Sequence, residues 1–401
     1  MRSKIRRMSV NVLIVGGGPA ALEAALALHR LAGDRVATTL LAPESNLTYR
    51  PLSVLAPFAA GSATTYPIER MAADAGFTHH RGRMARVDAA EHAVVTVAGE
   101  RLPYDTLLIA LGARPVEPFG GATVFTGSLT DQERLHGLVQ DVEEGYIRRV
   151  AFVVPPGSTW PLPLYELSLM LAERAYEMCA SLELHVVTSE PTPLSVFGAD
   201  ASREVAGLLA EAGIVLHAAT DAEVVAPGRI SLHGEVLEVD RIVTLPRLEG
   251  PSIPGLPADS HGFLVIDGHA RVTGVPDVYA AGDVTSFPIK QGGIACQQAD
   301  AAAADIARAA GAPVEAKPFT TVLRGMLLTE RWTRFLRHDA KGEETDVAGR
   351  ALWWPPTKIA GRELAGYLEG LDEEAGRDPG LPVNVDVGAH GTDGIEVLGL
   401  H

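Results

Sequence analysis

The sequence predicts an α/β chain: two strand–turn–helix units built on parallel sheets, the second inserted into the first, followed by a small C-terminal region. Three observations predict it. A short apolar run, Asn11 to Val15, leads into Gly16-Gly17-Gly18 and then into a helix-forming stretch from Ala20 to Leu31. A second apolar strand–turn–helix pattern begins near Arg149. Breaker residues at Pro115 and Pro118, and again at Gly250-Pro251 and Pro254 to Pro257, bracket that second unit like hinges. The 401 residues exceed what one small core organises, so two or three domains are expected.

Each position of the first turn has a physical task. Gly16 permits the tight exit from the strand, Gly18 lets the backbone approach a pyrophosphate, and Ala21 is small enough for the helix to pack on the strand. Pro19 and Ala20 open the helix, whose free N–H groups and positive dipole end hold an anion. The unit therefore reads as Rossmann-like and dinucleotide-binding. Gly33 is a C-cap candidate, and Arg35 to Leu41 is the second strand. Glu44 falls just past it, where a carboxylate accepts two hydrogen bonds from an adenosine ribose or is an ordinary loop residue. The loop Leu47 to Leu52, with Arg50 and Pro51, either faces the ligand crevice or simply connects. Residues 84–99, which include Val87, alternate as a hairpin. Tyr104 to Leu111 is a continuous apolar strand closed by Gly112, as suits a parallel strand buried on both faces.

In the second unit, Val150 to Val154 is a strand, Pro163 to Met178 a helix and Leu182 to Val187 a strand ending near Glu190. Its turn, Pro155 to Pro163, has one glycine and four prolines. Proline removes N–H donors and Trp160 is bulky, so this turn is a poor phosphate cradle. Cys179, within the helical run, is expected to be buried. Ala201 to Ala212 is a helix, Ile214 to His217 a strand, Val224 to Leu237 a hairpin and Arg241 to Pro246 a strand.

Past the second linker, Val278 to Val284 is an apolar strand ending in Gly282-Asp283, which puts a carboxylate at the crevice rim. Pro288 to Asp300 then opens an Ala-rich helix running to about Ala310. The two glycines at its start, Gly292 and Gly293, ahead of Ile294 and Ala295, leave open N–H groups pointing at a ligand, and Lys290 adds a nearby cation. Thr321 to Leu328 is a strand candidate, Ala351 to Ile359 an aromatic–proline segment and Arg362 to Leu371 a helix. The tail after Asp372 is acidic, Gly-rich and expected to be mobile.

Composition narrows the function classes. Apolar residues make up 47% and charged residues 21%, an ordinary globular balance. The net charge of −16 disfavours nucleic acid and anionic membrane surfaces as partners. Two cysteines far apart, with no C-x-x-C, offer neither a dithiol motif nor a cysteine metal site, and no metal is expected. The basic stretch Met1 to Met8 reads as a disordered leader, or as the product of an upstream start with Met8 the true one, because cleavage nearby would destroy the first strand. No run approaches the roughly 18 apolar residues of a membrane span. The protein is expected to be cytoplasmic.

The front glycines, the strand end Ala110-Leu111-Gly112-Ala113 and the stretch Val278 to Asp283 together resemble the pyridine nucleotide–disulfide oxidoreductase superfamily, flavoproteins with two dinucleotide-binding domains. Ala295-x-Gln297-Gln298-Ala299 and the Pro288-to-Lys290 segment look most like its type II NADH dehydrogenases and sulfide:quinone oxidoreductases. The resemblance covers about residues 1–320. It implies non-covalent FAD, with Gly16, Gly18 and Ala21 at the pyrophosphate, Glu44 at the adenosine ribose, the Val87 backbone at the adenine and Asp283 at the ribitol. The helix start at 293–296 would meet the N1–C2=O edge of the flavin, with Lys290, then Lys358, tuning it unless they are plain surface lysines. It also implies an FAD-binding domain in two parts (1–118 and 256–320), an inserted NAD(P)-binding-like domain (119–255) and a C-terminal region (321–401).

The departures are as informative. The thiol pair of the disulfide reductases is missing, and the Pro155–Pro163 loop carries no cysteine where sulfide oxidation would use one. Cys296 is either flavin-proximal or a packed, unreactive thiol, the second being favoured. The glycines of a nicotinamide site are absent, and Glu190 either keeps a ribose role or caps a strand. The leading expectation is an FAD-dependent oxidoreductase passing electrons from a reduced donor, NAD(P)H by family default, to a quinone or small acceptor. One alternative is a sulfide- or thiol-oxidising relative using Cys296; another is a flavin-holding sensor without turnover. Partners are small-molecule donors and acceptors; peripheral membrane contact and a homodimer stay open. Trp353 and Trp354 line a ligand face or pack in a core.

Overall fold

The computed structural model describes residues 9–158, 160–339 and 344–377. Seven α-helices occur among them: α1 (Pro19–Ala32), α2 (Ile68–Ala75), α3 (Leu129–Glu143), α4 (Leu162–Glu177), α5 (Ala199–Glu211), α6 (Gly292–Ala309) and α7 (Leu364–Glu374).

The first strand, Val10–Val15, is the centre of a five-stranded parallel sheet. It lies between Val36–Ala42 and Thr106–Ile109. Thr78–Arg81 forms one edge and Val278–Ala280 the other, so residues near 280 close a sheet begun at residue 10. Its apolar run is continuous because both faces are covered. Val12 and Ile14 face the core shared with α1 and α6, whereas Leu13 and Val15 pack with Val87, Val94 and Leu264 on the other side. α1 and α6 pack against each other, and their small side chains let the backbones come close. A Cβ on Gly282 would stand 3.2 Å from the Ala295 methyl and 3.5 Å from that of Ala20. Leu22 and Leu28 on α1 are fully buried, each contributing about 2 kcal/mol by its removal from water. Gly33 ends α1 at φ +52°, its N–H bonded to the His29 carbonyl.

A second parallel sheet runs in the order Thr123–Val124, Arg241–Thr244, Arg149–Val153, Glu183–Val187, Val215–His217. The two connections between the sheets, Arg114–Val116 and Arg247–Glu249, pair antiparallel with each other. The C-terminal residues add an antiparallel sheet of Val322–Leu328, Thr333–Asp339 and Glu344–Ala348, which packs on α4 and α5.

Several sequence expectations change. The 84–99 hairpin gains a third strand, Arg101–Pro103, and the 224–237 hairpin is likewise three strands, 222–226, 229–232 and 235–238. The expected strand Arg35–Leu41 starts one residue later, because Gly33–Arg35 is a 3-10 turn. Cys179 is exposed, not buried: α4 ends at Glu177, and Cys179 takes a left-handed turn position at φ +53° beyond the packed face. The last helix runs from 364 to 374, past the point where a mobile tail was expected. The leader at residues 1–8 and the tail from 378 lie outside the described residues. Among the described residues no helix is long and apolar enough to cross a membrane.

Candidate functional site

The carboxyl ends of the first sheet's strands open into a cleft of about 1170 Å³, where ligands of open α/β sheets bind. Gly16 turns the chain out of the first strand at φ +131°, and a Cβ there would lie 2.2 Å from the Ala110 carbonyl oxygen. Only glycine fits that crossing of two strand ends. Gly18 precedes α1 in extended conformation and has no heavy atom within 4 Å of a would-be Cβ, so its bare face meets the cleft. No side chain caps α1, and its first bond runs from Leu22 N–H to the Gly18 carbonyl. The N–H groups of Ala20 and Ala21 therefore stay free at the positive end of the helix.

The residues singled out in the sequence that line this one cleft include Gly16, Gly18, Pro19, Ala20, Glu44, Arg50, Pro51, Ala110, Gly112, Gly282, Asp283, Lys290, Ala295 and Lys358. The carboxylate of Glu44 reaches back over the turn, 3.2 Å from where a Gly17 Cβ would be. Burial pushes the Asp283 carboxyl up, and the charge of Lys290 opposes this. Lys290 donates to the carbonyls of Asp283 (3.2 Å) and Thr285 and lies 3.9 Å from the Phe263 ring centroid. Burial brings its pKa down to about 8 despite Asp283 and Asp259. Lys290 is thus fastened to the 283–285 loop, not a surface lysine.

The other sequence candidates stand apart from the cleft wall. Ala21 is fully buried under the turn, as the packing task requires. Val87 donates its N–H to Pro254 O at 2.9 Å, and its carbonyl is covered by Gly255, so its backbone is not open to a ligand. Gly82, Arg83 and Met84 line that end instead. The Ile294 N–H is not free either: the Gln291 side chain caps α6 by accepting it at 2.9 Å, and Gly293 backs onto the same amide. Cys296 is fully buried, its thiol pushed well up by burial and by Glu23 and Asp300. It sits behind the wall as a packed thiol. Trp353 packs against Phe335 at 5.0 Å between centroids, whereas Trp354 is exposed; neither lines the cleft.

Lys358 lines the cleft but is committed elsewhere. Its ammonium donates to both oxygens of Glu166 (2.6 and 2.7 Å) and to Pro51 O (3.3 Å), and Glu166 also accepts the Leu328 N–H (2.8 Å). Burial pushes Glu166 up and Lys358 down, and their pairing opposes both shifts. Sequence reading missed Glu166. A lone acid inside Leu162-Pro-Leu-Tyr-Glu166-Leu-Ser-Leu was the available signal, since a buried charge requires a partner. Arg324, inside the apolar strand Val322–Leu328, carried the same signal and also reaches the cleft.

The second sheet's turn also faces the cleft, through Pro156, Gly157, Ser158 and Trp160. Pro161 is the N-cap of α4 and Pro163 lies in its first turn, so this helix start offers fewer N–H donors than α1. Glu190 is turned inward: its carboxylate accepts the Tyr165 hydroxyl at 2.7 Å and that of Thr188 at 3.0 Å. Among the described residues no His, Cys, Asp and Glu group could hold a metal.

Two parallel sheets, a glycine turn and a facing strand end with its carboxylate, all on one cleft, define a dinucleotide-binding flavoprotein oxidoreductase. The chain belongs to the pyridine nucleotide-disulphide oxidoreductase family, whose model matches residues 10–305. It is 27% identical over 296 residues, 69% of this chain and 73% of the relative, to an NADH dehydrogenase-like protein of Mycobacterium tuberculosis. The sulfide:quinone oxidoreductase of Aquifex aeolicus shares its fold with a TM-score of 0.74 at 18% identity, over 92% of this chain and 90% of that one. The ferredoxin reductase for the CYP199A2 system of Rhodopseudomonas palustris does so at 0.63 and 20% identity, over 83% of each.

Proposed function

We propose that this cleft holds non-covalent FAD and passes electrons from a reduced donor to a quinone or another small acceptor. The observation that carries the reading is the single cleft joining the Gly16–Gly18 turn to Asp283 and the start of α6. The donor set suits the cofactor. The free N–H of Ala20 and the bare face of Gly18, with Ala21 packed beneath them, suit the pyrophosphate, Glu44 the adenosine ribose and Asp283 the ribitol. Arg50, Pro51, Ala110, Gly112 and Ala295 would complete the walls. Bound FAD supplies two-electron chemistry that no side chain offers. The chain's own contribution is to orient it and, through Lys290 and the Gly292 end of α6, to favour negative charge at one edge of the ring. Residues 1–118 with 256–320 would form the FAD-binding domain, 119–255 the inserted one and 321–401 the C-terminal region.

NAD(P)H is the family's default donor. A second reading, a donor other than a nicotinamide, is favoured by the proline-rich second turn and by the Glu190 carboxylate spent on Tyr165. A cysteine-based sulfide or thiol oxidation gains no support: Cys296 is buried behind the wall and Cys179 is exposed away from the cleft. The test is the visible spectrum of the purified protein during anaerobic additions of NADH and NADPH. The expected result is a flavin band that bleaches. Protein that neither retains nor takes up FAD would overturn the flavin reading; a band that dithionite bleaches but millimolar nicotinamides leave intact would overturn NAD(P)H as donor.

A further inference from the structure

Arg324 stands in the middle of the strand Val322–Leu328, whose neighbouring residues are almost all apolar. Its side chain and that of Met326 face the cleft, beside Gln291 and Gly292 at the start of α6 and near Lys358 and Ile359. The backbone there is held rigidly: the Arg324 carbonyl accepts the Gln291 amide at 3.0 Å. The guanidinium is more than half buried, and its Nε is fully buried with no hydrogen-bond partner among the described residues. Its cross-strand neighbour is a second cation, Arg337, which repels it and is itself paired with Asp346, while Asp339 attracts it. Of the other cations on the cleft wall, Lys358 beside it is neutralised by Glu166, and Lys290 is held by the Asp283 and Thr285 carbonyls.

A guanidinium does not lose its proton, so burial cannot be relieved by neutralisation. Placing one on a cleft wall beside another arginine is costly unless the cleft brings it an anion, and its planar fork fits a carboxylate or sulfonate in two-point contact.

We propose that Arg324 anchors an anionic group, a carboxylate or sulfonate, on the electron acceptor that enters this cleft. The assignment rests on the reading of the cleft as a flavin–acceptor site, and it narrows the acceptor from any small oxidant to one that is negatively charged at one end and planar or apolar elsewhere.

The test is calorimetric titration of the purified protein with two probes that differ in charge: naphthoquinone sulfonate and its uncharged counterpart menadione. The wild-type protein is expected to bind the sulfonate more tightly, with an affinity that falls as salt rises. R324Q, matched in polarity but uncharged, is expected to lose roughly 10- to 100-fold of that preference, the factor a hydrogen bond to a charged group carries. R324K, which keeps the charge but not the fork, is expected to fall between. Wild-type protein without a preference, R324Q with its preference intact, or an equal loss for both probes would each overturn the assignment. The visible flavin band of the same samples reports on the underlying reading separately, because the ratio of two affinities does not depend on turnover.

Discussion

The Glu166–Lys358 pair makes the sharpest stability prediction. It joins α4 to a segment 192 residues further along the chain, and through Leu328 N–H and Pro51 O it ties two more segments to the same point. K358M keeps the volume and the apolar stem but strands a buried carboxylate with one backbone N–H. Breaking a buried pair from one side costs about 3–5 kcal/mol. With an unfolding entropy near 2.1 cal/mol/K per residue, that loss lowers the Tm of a chain this long by roughly 4–6 °C. The double variant E166Q/K358M removes both charges and still offers Leu328 an acceptor, so it is expected to recover most of the loss, to within about 1 kcal/mol of wild type. Thermal unfolding followed by circular dichroism at neutral pH, at two scan rates, measures all three proteins. A K358M midpoint within 1 °C of wild type, or a double variant no more stable than the single, would refute the reasoning, since either outcome means that the pair is not a buried charge pair sharing one environment.

Other tests follow from single contacts. In G16A the new methyl meets the Ala110 carbonyl, so its Tm should drop; in G18A the methyl enters open space, so its Tm should hold while FAD retention measured after gel filtration falls. Burial and the neighbouring Glu23 raise Asp300 to about 8, so it carries a proton in the folded protein at neutral pH. The folded state then binds more protons than the unfolded one, and stability should decline as pH rises through about 8. D300N should flatten the difference between urea midpoints at pH 6 and pH 9; an unchanged difference would count against a protonated Asp300. A thiol reagent should modify Cys179 at once and Cys296 only on unfolding, as mass spectrometry of timed samples would read; early modification of Cys296 would refute its packing.

Local rules carried far in this chain because they act within a few residues. The Gly16 turn, the length of α1 and its Gly33 stop, and the Gln291–Gly292 start of α6 follow from backbone chemistry over one or two helical turns. The sheet closed by Val278–Ala280 was legible because a buried parallel strand must be apolar throughout. What escaped depends on partners distant in sequence. Ile294 looked like a free donor, and only the rotamer of Gln291 shows that its N–H is taken. Val87 looked open until the 254–255 linker folded over it. Glu166 could be recognised as buried, but its partner could not be named, because nothing local connects it to Lys358.

The helix that follows the glycine turn is completed late. Glu23, fully buried on α1, accepts the N–H groups of Glu363 and Leu364 at 2.8 Å each, 340 and 341 residues later, and faces Asp300 on α6. During synthesis the glycine turn emerges some 340 residues ahead of the N–H groups that satisfy Glu23, so that helix carries an unsatisfied acid while the chain between them is made. The order of synthesis and the order of completion therefore run in opposite directions. A chain stopped just short of Glu363 would contain every residue of the cleft and still leave its founding helix unsettled.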